Sequence, residues 1–372
     1  MKYASLFGLA AWAAGGTSFG LEPLPEHIDV VPEFTGGSWD WEIGTDSISM
    51  DPSSVFFPLR DFDFSSKDPE TGDPLGERYF LSLGSGFDFL GFEEGEPVWI
   101  LPQSDFNYTW PGMENAQSGV FHSYVETDPR ASGLAQPWIR IYLDSVQGPG
   151  EFSLFQLQSG QQVIWMTTAD GIGSDDLFLL LSPGHDHMWW GFTKKGVYRV
   201  NFRAQARLGA DPTNLTPLSD PQELFFAVGA RAEWRAMHFD SDDVMLESVA
   251  GDDADPDKDG KVSLLEYAFG TDPTSASMLH ESLGVSSWPE LVIVEDAGMS
   301  YPAMRFFRRI NEDADVTYSV EWNSTLSPAT WTSNEVEVDV EDFGERWERV
   351  TLRDTSPVSG KRFGRVKVET GS

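Results

Sequence analysis

Two groups of side chains in this sequence have the types and spacing to hold metal ions. The first lies in Asp255-Pro256-Asp257-Lys258-Asp259-Gly260-Lys261-Val262-Ser263-Leu264-Leu265-Glu266, which fits the twelve-residue pattern D-x-[DN]-x-[DN]-G-x₅-E at every specified position. Calcium takes about six to eight hard oxygen ligands in a flexible shell. Asp255, Asp257 and Asp259 would supply carboxylates from positions one, three and five, and Lys261 its main-chain carbonyl from seven. Ser263 at nine would act directly or through water, and Glu266 at twelve would give both carboxylate oxygens. Gly260 permits the sharp turn at position six. Magnesium is disfavoured because it demands tighter octahedral geometry and gives up its waters reluctantly. The alternative is a solvated acidic linker, and a glycine and a glutamate both in register with the aspartates argue against it. Four carboxylates gathered without a cation would repel one another, so calcium is expected to order this segment as well as bind to it.

The second group is His27-Ile28-Asp29 together with His185-Asp186-His187, in a chain with only six histidines. In an extended segment residues i and i+2 share a face, so each pair can offer two ligands to one ion. Imidazoles joined by a carboxylate suit zinc, manganese or another transition metal. The pairs are far apart in sequence, so a fold must unite them. Otherwise these are strand-end histidines hydrogen-bonded locally.

The elements that must position both groups read as strands. Thirty-five glycines and 23 prolines are spread along 372 residues, the mark of many short strands joined by turns. Tyr198-Arg199-Val200-Asn201-Phe202-Arg203-Ala204-Gln205 alternates apolar and polar residues, the period of a strand with one buried face. From Asp240 to Lys261 nine acidic residues meet two lysines, and this charge run separates an N-terminal block from strands that resume after Pro289. The expectation is an all-β protein of two β-sandwich domains, residues 21–239 and 285–372. An acidic, EF-hand-like calcium linker with a short helix, residues 240–284, would join them.

Residues 1–20 read as an export signal. Lys2 gives a positive start, an apolar run follows from Tyr3 to Ala14, and small residues end at Gly20. The protein is thus expected at the cell surface, in the periplasm or outside the cell. Without cysteine no disulfide framework can form, which favours a bacterial source and a fold held by packing and bound ions. A formal charge of −35 repels nucleic acid and anionic membranes and favours divalent cations as partners. After residue 20 no apolar run reaches membrane-spanning length, so no transmembrane anchor is expected.

Two further function classes compete with metal binding. Fourteen tryptophans, among them Trp39, Trp41, Trp110, Trp189 and Trp190, could stack on sugars in a glycan-binding module with a polysaccharide partner, or could simply fill cores. Catalysis finds less support. The chain has no Gly-x-Ser-x-Gly elbow, His-Glu-x-x-His helix or P-loop, and among 60 acidic residues no glycosidase pair stands out. A glycoside hydrolase is the least favoured reading, and the protein is expected not to be an enzyme.

Two family resemblances bear on these readings. Asp255 to Glu266, continuing as Tyr267-Ala268-Phe269-Gly270-Thr271-Asp272-Pro273, resembles the single-loop calcium linker of secreted planctomycete and verrucomicrobial proteins. Phe307-Arg308-Arg309, Tyr318 to Trp322 and Arg362 to Val366 resemble the non-catalytic C-terminal module that accompanies it, whose role is structural or in export. His27-Ile28-Asp29, Val98 to Gln103, Gly148 to Phe152, Asp170 to Asp176 and His185 to Tyr198 resemble, in the same order, the choice-of-anchor M family of surface-anchored domains first noted in actinobacteria. That resemblance covers about residues 24–230 and implies a surface role with metal capture. The family often carries a further His-x-His after a Trp-Asp pair, whereas here Trp39-Asp40 is followed by Trp41-Glu42-Ile43-Gly44.

Overall fold

A computed structural model describes residues 20–24, 27–45, 48–62, 64–66, 76–104, 109–158, 160–310, 314–326, 331–344 and 346–371. Apart from Gly20, the expected export signal lies outside the described residues. Strands occupy 48% of the chain and helices 8%, so the turn-rich composition and period-two patterning do specify an all-β fold.

Three large sheets, with a two-stranded one of Tyr124–Val125 and Ala135–Gln136, make up the N-terminal part. The first runs Glu22–Pro23, Val55–Leu59, Gln222–Val228, Gly196–Ala206, Trp138–Gln147, Leu177–Leu181. The second runs Gln161–Thr167, Phe152–Gln158, Trp189–Phe192, Pro97–Leu101, Arg78–Phe80. The third runs Gly184–His187, Trp110–Asn115, His27–Thr35, Ser38–Thr45, Ile48–Met50. One apolar cluster takes side chains from all three, among them Phe202 and Phe226, Phe152 and Trp190, and Ile28 and Met113. Tyr198, Val200, Phe202 and Ala204 are fully buried, as their alternation requires. Burying each large apolar side chain contributes about 1.5–3 kcal/mol.

The same alternation orients the second ligand group. Ile28 and Val30 are fully buried in the core, so His27 and Asp29 must face the other side of their strand. Slipping this strand by one residue would push both ligands into the core, which fixes its register firmly.

Beyond residue 289 the chain forms sheets of its own. Glu290–Asp296, Met299–Arg309, Trp347–Asp354 and Glu335–Asp342 make a four-stranded sheet, and Thr332–Ser333, Val316–Asn323 and Phe363–Thr370 a three-stranded one. Among the described residues none of these strands pairs with a strand of the N-terminal sheets. Phe306, Val320, Trp322, Val350 and Leu352 pack together with Phe269, which comes from the helix Ser263–Phe269 that follows the acidic loop.

That helix ties the linker to both flanks. Tyr267 Oη donates to Ala314 O (2.8 Å), Arg309 Nε to Tyr267 O (2.7 Å), and Tyr318 Oη to Ala268 O (2.6 Å). On the other side the Tyr267 ring meets Trp234 edge-on, with centroids 5.5 Å apart. Trp234 lies on the helix Ala230–His238, which also reaches Glu281 through His238 (3.0 Å). Apolar and aromatic residues just after the loop bring this about, because Tyr267 and Phe269 can be buried only against the neighbouring layers.

Candidate metal centres

The third sheet brings His27, Asp29, His185 and His187 to one place. The strand Trp110–Asn115 lies between the other two, parallel to His27–Thr35 and antiparallel to Gly184–His187, with Asp29 opposite Gly112 and His187 opposite the same Gly112. One ligand atom from each of the four residues lies within 4.8 Å of the others. His27 Nε2 is 3.3 Å from His187 Nε2, and His185 Nε2 is 3.0 Å from Asp29 Oδ1. Zinc–nitrogen bonds of about 2.0–2.1 Å imply ligand-to-ligand edges of about 3.3 Å in a tetrahedron. Two of the edges are therefore close to those of such a shell.

The floor of this cluster is a glycine. A Cβ at Gly112 would stand 2.2 Å from Asp29 Oδ1 and 2.9 Å from His187 Cε1, so any side chain there would displace two ligands. Trp110 forms a wall, its ring centroid 4.4 Å from that of His27 and 4.3 Å from that of His187. Asp29 is buried, while His27 and His185 keep 38% and 40% of their side chains exposed, which leaves an entry path. Burial holds the His187 ring down at about pKa 4, against the opposing pull of Asp29. It is thus neutral at pH 7, the state a metal ligand needs. Its buried Nδ1 has no hydrogen-bond partner. Three imidazoles to one carboxylate favour zinc over manganese, which prefers oxygen.

Gly112 and Trp110 are site residues that the ligand pattern did not single out. A glycine inside a strand marks close approach by another group, and that signal is present in Trp110-Pro111-Gly112. Gly112→Ala is expected to lower zinc affinity by about 10–100-fold, the range for residues that orient ligands. Zinc titration against a competing chelator would show it, and unchanged affinity would contradict this geometry. Glu42 and Gly44 flank the cluster without joining it. Gly44 pairs with Asp29 but has no side chain, and Glu42 accepts a hydrogen bond from Ser49 Oγ (2.7 Å).

In the acidic loop, Asp255, Asp257 and Asp259 each place a carboxylate oxygen within 4.8 Å of the others. That is about the span of a calcium shell with bonds near 2.4 Å. Main-chain N–H groups fold the loop around them: Asp259 N and Gly260 N donate to Asp255 (3.1 and 3.0 Å), and Lys261 N to Asp259 (2.9 Å). Gly260 has φ +91°, so the turn needs glycine.

Glu266 is fully buried, and its Oε2, like Asp257 Oδ2, has no hydrogen-bond partner. Its Oε1 accepts from Thr271 Oγ1 (3.3 Å). Burial, reinforced by the charges of Asp257 and Asp259, pushes the Glu266 carboxyl up to about 8. Orphaned buried oxygens on Glu266 and Asp257, close to the other loop carboxylates, suit the coordination of a cation. Lys261 places its ammonium on Asp259, where it stands in for part of that positive charge. Ser263 is buried at the start of the helix Ser263–Phe269, and its hydroxyl donates to Ala254 O (3.2 Å), which leaves lone pairs on that oxygen for an ion or a water.

The tryptophans weighed for sugar stacking have other surroundings. Trp41 and Trp190 are buried in the core, Trp110 covers the imidazoles, and Trp189 stacks on Phe155. Trp39 lines a cleft of about 290 Å³ with Asp40, Asp220 and Gln222, yet its ring stacks on Phe121. Among the described residues no helix is long and apolar enough to cross a membrane. Comparison with protein-family models and with curated proteins finds no match to this chain.

Proposed function

We propose that this chain is an exported, non-catalytic surface or matrix protein that binds a transition-metal ion, zinc before manganese, through His27, Asp29, His185 and His187. A structural calcium ion is held at Asp255, Asp257, Asp259 and Glu266. The observation that carries this reading is the convergence of three imidazoles and a buried carboxylate from two strands over a glycine floor. Asp29 is buried and held by His185 (3.0 Å), so its carboxylate is oriented toward the imidazoles before an ion arrives. The resemblance to the choice-of-anchor M family points the same way, and so does the export pattern of residues 1–20.

Elemental analysis of the full chain, purified without chelators and desalted, tests both sites together. The expected result is about one equivalent of zinc and one of calcium. A protein that retains neither after incubation with both ions would remove the reading and favour the glycan-binding alternative, with the Trp39 cleft as the place to look.

A further inference from the structure

The last-turn carbonyls of a helix have no partners within it. At the end of Ala230–His238 one of them, Ala236 O, accepts a hydrogen bond from Leu21 N (2.8 Å). The Leu21 side chain is buried in an apolar cluster with Phe56, Phe239, Val244 and Ala250. Glu22 and Pro23 then pair with Val55 and Phe56, and Leu24 N donates to Phe56 O (3.0 Å). Backbone, side chain and strand all anchor this short segment from Leu21 onward.

Immediately before it there is no room. A Cβ at Gly20 would lie 1.8 Å from Met237 O and 2.8 Å from His238 N, so the chain enters Leu21 pressed against the helix end. Ser18 and Gly20 stand three and one residues before Leu21, the small-residue spacing at which export signals are cut.

We propose that the Gly20–Leu21 bond is the processing site of the chain, and that the Leu21 ammonium released there binds the carboxyl end of the helix Ala230–His238. This rests on the export reading. In the cut, a signal peptidase adds water across the C–N bond. The hydroxyl goes to the Gly20 carbonyl carbon, which leaves as a carboxylate, and the Leu21 nitrogen keeps the bonding pair and takes up protons. A neutral amide with one N–H thus becomes a cation with three, placed at the negative end of the helix dipole beside Ala236 O. Crowding at Gly20 ends with the same step. The braced helix is the one whose Trp234 and His238 meet Tyr267 and Glu281, so processing and calcium act on the same joint.

Two measurements test this. The full chain, secreted from a bacterial host, should yield a product whose mass and N-terminal sequence begin at Leu21. A secreted product with another start overturns the cut but leaves export standing, and an uncut chain kept in the cytoplasm removes both. The mature chain beginning at Leu21 should also melt about 1–4 °C above the same chain with an acetylated α-amine. Binding the helix end raises the amine's pKa above its free value of about 7.7–8.0, so this gap should be full at pH 6.5 and shrink as pH rises beyond that range. Equal melting temperatures, or a gap indifferent to pH, overturns the role of the ammonium.

Discussion

Glu266→Ala is expected to weaken calcium binding by about two orders of magnitude, because it removes the bidentate ligand that closes the shell. Lys258→Ala, in the same loop but outside the ligand set, should leave affinity unchanged. Titration calorimetry on the two variants decides the assignment, and equal affinity in wild type and Glu266→Ala would sink it. The buried carboxyl adds a pH signature. Without calcium its folded pKa is about 8, against an ordinary value of 4.5, so between those pH values the folded chain holds a proton that the unfolded chain has released. Stability of the calcium-free protein should therefore fall as pH rises from about 5 to 8. Calcium replaces that proton with its own charge, so the rise in melting temperature it produces should grow across the same window. Glu266→Gln, which cannot ionise, should lose this pH dependence.

The double variant His185→Ala/His187→Ala should lose at least about 100-fold in zinc affinity, since it deletes two of four ligands and leaves His27 and Asp29 alone. Calcium content, governed by a loop on another part of the chain, should not change. Competition with a chromogenic chelator reads the first, and elemental analysis reads the second. Loss of both metals together would mean that the variant had misfolded, whereas zinc retained at wild-type affinity would show these histidines to be structural. Acid should mimic the deletion, because protons compete with the metal for imidazole lone pairs. In the metal-free protein His187 adds a further slope. Its folded pKa of about 4 lies below the ordinary 6.5, so the unfolded chain takes up a proton that the folded chain refuses, and stability falls as pH drops through that interval.

Both ligand groups could be read from local patterns. His-x-Asp and His-x-His announce themselves by the two-residue period of a strand, and the loop from Asp255 to Glu266 by a fixed register of oxygen donors. What local pattern could not supply was the order of strands in the sheet. That Gly184–His187 lies beside Trp110–Asn115, and Trp110–Asn115 beside His27–Thr35, depends on long-range packing of Ile28, Val30 and Met113 into the common core. Only that order reveals Gly112 as the floor of the cluster, and it turns Trp110 from a candidate sugar platform into a wall for two imidazoles. Ser263 shows a different limit. The calcium pattern gives its place in the loop, but only the fold shows that its hydroxyl proton goes to Ala254 O.

Asp255 and Glu266 are separated by eleven peptide units, about 37 Å of chain if drawn straight. An ion held by both would take that length out of the path along which tension travels between the flanking sheets. Beyond Glu266 the load passes at once to Tyr267 and Phe269, which are seated in packed layers on either side. A calcium ion that closes this loop would therefore leave the path between the flanking sheets shorter and stiffer than it is in the calcium-free chain.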